Sequence, residues 1–445
     1  MLFPKNFLWG AASSAYQIEG SPLADGGGAS IWDTFSHKKG ATYQGATGDI
    51  AADAYHRFAD DIKLMAQMGL QVYRFSISWA RVDPRGTGEF NGAGFDYYSR
   101  VIDACLENNI QPFVTLYHWE LPQSLEDNGG WLNRDTAAAF ARYAAECVAR
   151  FGDRVKNFIV LNEPQCSAKL GYGNGVHAPG LTLDARHVFT VFHNLNLAYG
   201  MAVTAMRSVK SNISIGIATT GKLCYPATES DADIEAARRE TFTLDDGWAF
   251  SHNMALDPIV LGRYPTCENH EIEPFISAVT ADDLAIINQR PDFIGLNIYN
   301  GLEICAGDGG EPEYVKRCDG FAMTATKWPV TPRVMDYPVR FIAERYNLPV
   351  YITENGQSCN DRIFQDGAVH DPDRIDFLAT YLENLSKAIA AGTDVRGYMH
   401  WCLTDNYEWN EGYKERFGLI YIDYPTQRRI LKDSAKWYAE FISKA

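Results

Sequence analysis

The chain has 445 residues, enough to bury a large core, and its 46% hydrophobic and 22% charged residues exclude wholesale disorder. Forty Lys and Arg stand against 56 Asp and Glu, a net charge of −16 with His neutral. So acidic a chain is ill suited to nucleic acid or an anionic membrane surface, since both need a basic footprint. No run of about 18 apolar residues offers a membrane span. The opening Met1-Leu2-Phe3-Pro4-Lys5-Asn6-Phe7 lacks the basic-then-apolar pattern of a secretion signal. Nine cysteines with no CxxC pair read as reduced thiols of a cytoplasmic protein.

Eight short apolar runs follow in chain order, near 8–12, 72–77, 112–116, 158–161, 213–218, 293–296, 350–353 and 398–401. Several are continuous rather than alternating, such as Phe158-Ile159-Val160-Leu161, which fits strands buried on both faces of a parallel sheet. Helical periods lie between them. Phe58, Ile62, Met65 and Met68 mark one apolar face; Phe95, Tyr98, Ile102 and Cys105 mark another. Residues 137–151 and 375–389 carry similar periods. Eight strand-then-helix units predict a single (β/α)8 barrel domain over 1–445, with long loops after the strands. An open doubly wound sheet is the alternative. It calls for a GxGxxG phosphate turn, and Gly26-Gly27-Gly28 does not have that form.

Polar residues end the apolar runs: Arg74, His118, Asn162-Glu163, Asn297 with Tyr299, Glu354, and Trp401. In such a barrel the carboxyl ends of the strands carry the active site. Glu163 and Glu354 each follow a buried run directly, so both face one cavity. Paired carboxyls suit glycosidic hydrolysis, with one as acid and the other as nucleophile or base. A structural ion pair and a carboxylate metal site also fit the spacing. The metal reading lacks an HExxH motif or a tight His/Asp cluster.

The opening motif Phe7-Leu8-Trp9-Gly10-Ala11-Ala12-Ser13-Ser14-Ala15-Tyr16-Gln17-Ile18-Glu19-Gly20 resembles the N-terminal signature of family 1 glycoside hydrolases, the β-glucosidase family. So do Tyr73-Arg74-Phe75-Ser76-Ile77-Ser78-Trp79, Tyr117-His118-Trp119, Asn162-Glu163-Pro164, Thr353-Glu354-Asn355-Gly356, and the block from Trp401 to Arg416-Phe417-Gly418. The order of these blocks is the family's order over nearly the whole chain.

The resemblance implies a retaining β-glycosidase that takes a β-glucoside or oligosaccharide and needs no cofactor. It implies Glu163 as acid/base and Glu354 as nucleophile, with carboxyls ~5–5.5 Å apart. Arg74 and Tyr299 are then the residues that keep Glu354 ionised, and Asn162 holds the sugar 2-hydroxyl. Gln17, His118, Trp119, Asn297, Glu408 and Trp409 match sugar-binding positions, and Trp401 is the platform under the ring. Glu408, Glu415 and Phe417 stand where relatives that take 6-phosphorylated sugars have Ser, Lys and Tyr, so a neutral sugar is expected. Gln165 replaces a common Trp. Together with the 301–332 segment, including Trp328, it is expected on the rim that meets the leaving group. Cys166 reads as a small buried residue, with no basic neighbour to activate it.

Overall fold

The computed structural model describes residues 3–267 and 271–445. Met1 and Leu2 of the opening stretch lie outside them. Eight parallel strands close a barrel in sequence order: β1 (Leu8–Ala12), β2 (Val72–Ser76), β3 (Gln111–Tyr117), β4 (Asn157–Asn162), β5 (Ser214–Thr219), β6 (Phe293–Asn297), β7 (Val350–Asn355) and β8 (Val395–Trp401). Helices α1 (Ala54–Gln67), α2 (Gly92–Glu107), α3 (Asp135–Phe151), α4 (Ala185–Val209), α5 (Ala281–Ile287), α6 (Tyr337–Tyr346), α7 (Pro372–Ala390) and α8 (Asp433–Ile442) return the chain from each strand. This is the (β/α)8 class expected from the eight apolar runs. Every run overlaps a strand, with ends that differ by up to three residues. β8 begins three residues before the run at 398, because exposed Arg396 and buried Gly397 interrupt its apolar character. β7 runs on through Glu354 and Asn355, so Glu354 lies inside the strand rather than just after it.

Strand residues alternate between two cores. Tyr73, Phe75, Val114, Phe158 and Val160 point outward into the strand–helix layer. Val72, Phe113, Ile159, Phe293 and Met399 point into the lumen. The rings of Phe113, Phe293 and Tyr351 meet there at 5.1–6.1 Å and fill the floor. Two residues past Val72 the same parity brings Arg74 into the lumen, above that floor and fully buried. The apolar plug therefore sets the depth of the site: polar side chains begin where it ends.

The loops at the carboxyl ends are elaborated. Strand Leu302–Ala306 pairs with Cys224–Pro226 and Pro312–Tyr314, and a hairpin joins Ile420–Asp423 to Arg428–Leu431 after β8. A buried charge network ties this last loop down. Lys432 Nζ donates to Asp405 at 2.7 Å and to Asp361 at 2.5 Å. Arg416 binds Asp405, and Arg374 binds Asp361 at 2.7 Å. The loop carrying Glu408 is thus anchored to the loop after β7.

At the β7 end Gly356 meets the neighbouring strand backbone. A Cβ there would lie 1.9 Å from the Trp401 carbonyl oxygen, a rigid backbone atom. Gly356→Ala is expected to lower stability by about 1–3 kcal/mol and to displace Trp401. Thermal unfolding and kcat measured together check this; an unchanged midpoint with unchanged kcat contradicts it.

Candidate active site

A cavity of about 650 Å³ opens at the carboxyl ends of the strands, and Glu163 and Glu354 both line it. Its size suits a ligand larger than one sugar ring. Glu163 follows β4 and adopts a left-handed backbone, φ 46°. Trp119 (φ 74°) and Trp409 (φ 51°) on the same wall do so too. Bulky residues rarely take that conformation, and such strain gathers where a side chain must be aimed.

Arg74 organises the floor. Its Nη1 donates to Glu354 Oε1 at 2.5 Å and its Nη2 to Asn162 Oδ1 at 2.6 Å. Tyr299 Oη donates to Glu354 Oε2 at 2.7 Å. Asn297 Nδ2 donates to Glu163 Oε1 at 2.6 Å and to Asn162 Oδ1 at 2.9 Å, while Asn297 Oδ1 accepts from Thr353 Oγ1 at 2.6 Å. Asn297, expected as a sugar contact, lines the cavity and has both amide atoms engaged by protein as well, one of them on the carboxyl.

The two carboxyls differ in their surroundings. Burial pushes Glu163 up to about 7, helped by the nearby Glu354 charge, with Asn297, Cys166 and Arg74 pulling the other way. Burial also raises Glu354, but Arg74 opposes it first, then the Tyr299 hydrogen bond. Glu163 has no such ion pair, so the shared proton belongs on Glu163 and the charge on Glu354. Tyr299 is held well above its ordinary value by burial and Glu354, so it stays a donor.

Asn162 Oδ1 is taken by two donors, which leaves Nδ2 as the group able to donate. Nδ2 points at His118 Nε2, 3.2 Å away. An amide NH₂ only donates, so Nε2 accepts and the His118 proton sits on Nδ1. That buried nitrogen has no partner among the described residues. Burial and Arg74 hold His118 well below its usual value, so it is neutral. His118 itself lines the cavity wall.

Trp119, Trp401 and Trp409 supply aromatic surface. The Trp119 and Trp409 ring centroids are 4.6 Å apart, and Trp401 lies parallel to His118 at 5.8 Å. Trp119 Nε1 already donates to the Asn162 carbonyl at 3.0 Å, so this residue offers its ring rather than its N–H. Gln17 is fully buried. Its Oε1 accepts from Ser14, and its Nε2 donates to Tyr407 O at 3.0 Å and Glu408 Oε2 at 3.3 Å. Gln17 therefore braces Glu408, which lines the wall. Burial, Glu354 and Glu415 push Glu408 up to about 8.

The rim differs from expectation at one residue. Gln165 is fully buried, with Nε2 3.5 Å from the Ser251 carbonyl, and it takes no part in the cavity wall. The helical turn after Glu163 aims it inward. Trp328 does line the wall, 37% exposed and 5.1 Å from the Tyr299 ring. His177 is a wall residue that sequence reasoning missed. It packs on Trp119 at 5.3 Å, and burial lowers it to about 4. It comes from a loop far from any strand end, so no pattern marks it. Cys166 is buried as expected, but its Sγ contacts Glu163 Oε2 at 3.0 Å. Among the described residues no group of three or more His, Cys, Asp or Glu is placed to hold a metal ion, and no helix is long and apolar enough to cross a membrane.

A closed β/α barrel with one ionised and one protonated carboxyl facing a single cavity is the architecture of a glycoside hydrolase. The glycosyl hydrolase family 1 model matches residues 1–445. β-Glucosidase A of Thermotoga maritima is 43% identical over 99% of this chain and 97% of its own length. A 1,4-β-D-glucan glucohydrolase of Thermotoga neapolitana is 44% identical over 99% and 98%. The bifunctional β-D-glucosidase/β-D-fucosidase of Bifidobacterium breve is 41% identical over 100% and 98%. The solved T. maritima β-glucosidase in complex with glucoimidazole superposes with a TM-score of 0.89, at 43% identity over 99% of this chain and 98% of that one. The chain belongs to glycosyl hydrolase family 1.

A reaction that needs acid at Glu163 and an ionised Glu354 is switched off in two directions. Raising the pH removes the Glu163 proton, so kcat/KM is expected to fall as pH rises through about 7. Lowering it protonates Glu354 and gives the acid limb. A pH profile of kcat/KM on an aryl glycoside checks this; a plateau that continues to pH ~9 contradicts it.

Proposed function

We propose that the protein is an exo-acting, retaining β-glucosidase that releases non-reducing terminal β-D-glucosyl residues in the cytoplasm, with one catalytic domain over residues 1–445. The observation that carries this reading is the contrast between the paired carboxyls: Glu354 lies on Arg74 and Tyr299, whereas Glu163 has no cationic partner and is raised by burial. Glucose follows from the related β-glucosidases. Buried thiols such as Cys105, Cys147 and Cys402 fit a reducing compartment.

In this mechanism Glu354 attacks the anomeric carbon while Glu163 hands its proton to the departing oxygen. Retention asks for carboxyls ~5–5.5 Å apart. Once the aglycone leaves, Glu163 is ionised beside a now esterified Glu354. Loss of that neighbouring charge lowers its pKa, yet it can still take a proton from the incoming water, which displaces Glu354. The chemistry uses water and the two carboxyls and calls for no cofactor. Asn162 and His118 would hold the hydroxyls next to the anomeric centre, and Glu408, braced by Gln17, the far ones. Trp401 and Trp409 would pack the ring, and Trp328 the aglycone. An acceptor sugar replacing water gives transglycosylation. β-Fucosidase activity beside the glucosidase, as named for the B. breve relative, and β-galactosidase activity are the side reactions proposed.

The sugar should be unphosphorylated. Five carboxyls, Glu163, Glu354, Glu408, Glu411 and Glu415, line the cavity. Lys327 and Lys414 line it too, outnumbered by the carboxyls, and the Lys414 ammonium is shared between Glu411 and Glu415. A 6-phosphate would bring nearly two more negative charges to this wall. Release of p-nitrophenol from its β-glucoside is expected, with kcat/KM for the 6-phosphate at least ~10-fold lower. Efficient cleavage of the 6-phosphate overturns this reading of the pocket.

A further inference from the structure

Both oxygens of the Glu163 carboxyl have protein partners, and the two partners are of different kinds. Oε1 accepts from Asn297 Nδ2 at 2.6 Å. That amide cannot turn over, because Thr353 Oγ1 donates to its oxygen and Asn162 Oδ1 accepts from its nitrogen. An amide nitrogen only donates. In a neutral carboxyl the carbonyl oxygen is the better acceptor, so Asn297 holds Oε1 as the carbonyl and leaves the acid proton on Oε2.

Oε2 is the oxygen that meets Cys166 Sγ, at 3.0 Å. Cys166 stands three residues after Glu163, and its backbone N–H closes the intervening turn on the Glu163 carbonyl at 3.0 Å. That turn fixes the thiol against the carboxyl, on the cavity wall. A thiol is a weak donor and a weak acceptor. It can donate S–H to an ionised Oε2. Facing a protonated Oε2 it accepts poorly, so it does not compete with a leaving-group oxygen for the proton.

We propose that Cys166 is a positioning residue for the acid/base carboxyl: its thiol is held against Oε2, the oxygen on which Asn297 leaves the transferable proton, and donates to that oxygen once the proton has left. This rests on the proposed role of Glu163. Burial and the facing Glu163 hold the thiol well above its ordinary range, so it remains S–H throughout. The charged and titratable groups around Glu163 are Glu354 from β7, Arg74 from β2, Tyr299 after β6 and Glu408 from the loop after β8. None of these changes when Cys166 is replaced.

The test is the alkaline limb of kcat/KM in Cys166→Ala and Cys166→Ser, read with cellobiose and with 2,4-dinitrophenyl β-glucoside. Removing the donor disfavours the ionised carboxyl, so Cys166→Ala should move the limb up by about half a pH unit. A hydroxyl donates more strongly, so Cys166→Ser should move it down. The dinitrophenyl substrate needs little acid help, and its kcat/KM should stay within about twofold in both variants. Opposite limb shifts support the proposal. Limbs that coincide with the wild type, or equal losses on both substrates, overturn it. If Cys166→Ala fails to fold, the near-isosteric Cys166→Ser decides alone. A wild type that cleaves neither glucoside faults the glucosidase reading instead.

Discussion

The buried ion pair between Arg74 and Glu354 is the contact on which the site depends. A lone carboxylate cannot remain ionised in a dry lumen, and a second one beside it makes matters worse. Arg74 answers both problems from one position. It neutralises Glu354, and through Asn162 it fixes the amides that surround Glu163. Its own place is set by strand parity and by the aromatic plug of Phe113, Phe293 and Tyr351 beneath it. Burying such a pair is weak evidence for stability, but removing one partner leaves an uncompensated charge. The architecture serves chemistry here more than it serves the fold.

The same trade is visible in the other carboxyls. Glu163 is raised to about 7, and Glu120 and Glu408 to about 8, with burial the largest cause in each. In the unfolded chain these groups ionise near 4.3. The folded state therefore binds more protons than the unfolded state between those limits. What these groups contribute is complete below the unfolded value, and it is lost as pH rises through 7 to 8. Activity and stability thus decline on the same alkaline side, for one reason: acids kept protonated by burial.

Much of this was legible in the sequence because a buried strand that ends on a charged residue is unusual. Glu163 and Glu354 each stand at the carboxyl end of an apolar run, Arg74 interrupts another, and the closed barrel brings the three together. Legibility failed where an amide's protein partners come from distant strands and loops, as Thr353 and Glu163 do for Asn297 and Glu408 does for Gln17. It failed again where the path of a turn decides direction: Gln165 points inward and Cys166 onto the carboxyl. His177 left no trace, since a long loop carries it to the wall.

The account turns on Glu354 being the ionised nucleophile and Glu163 the acid. Incubation with 2-deoxy-2-fluoro-β-D-glucosyl fluoride, followed by intact-mass and peptide-mapping spectrometry, addresses this directly. One fluoroglucosyl group per chain is expected, attached to Glu354, with activity lost in proportion. No adduct despite turnover of glucosides, or an adduct on Glu163, would contradict it.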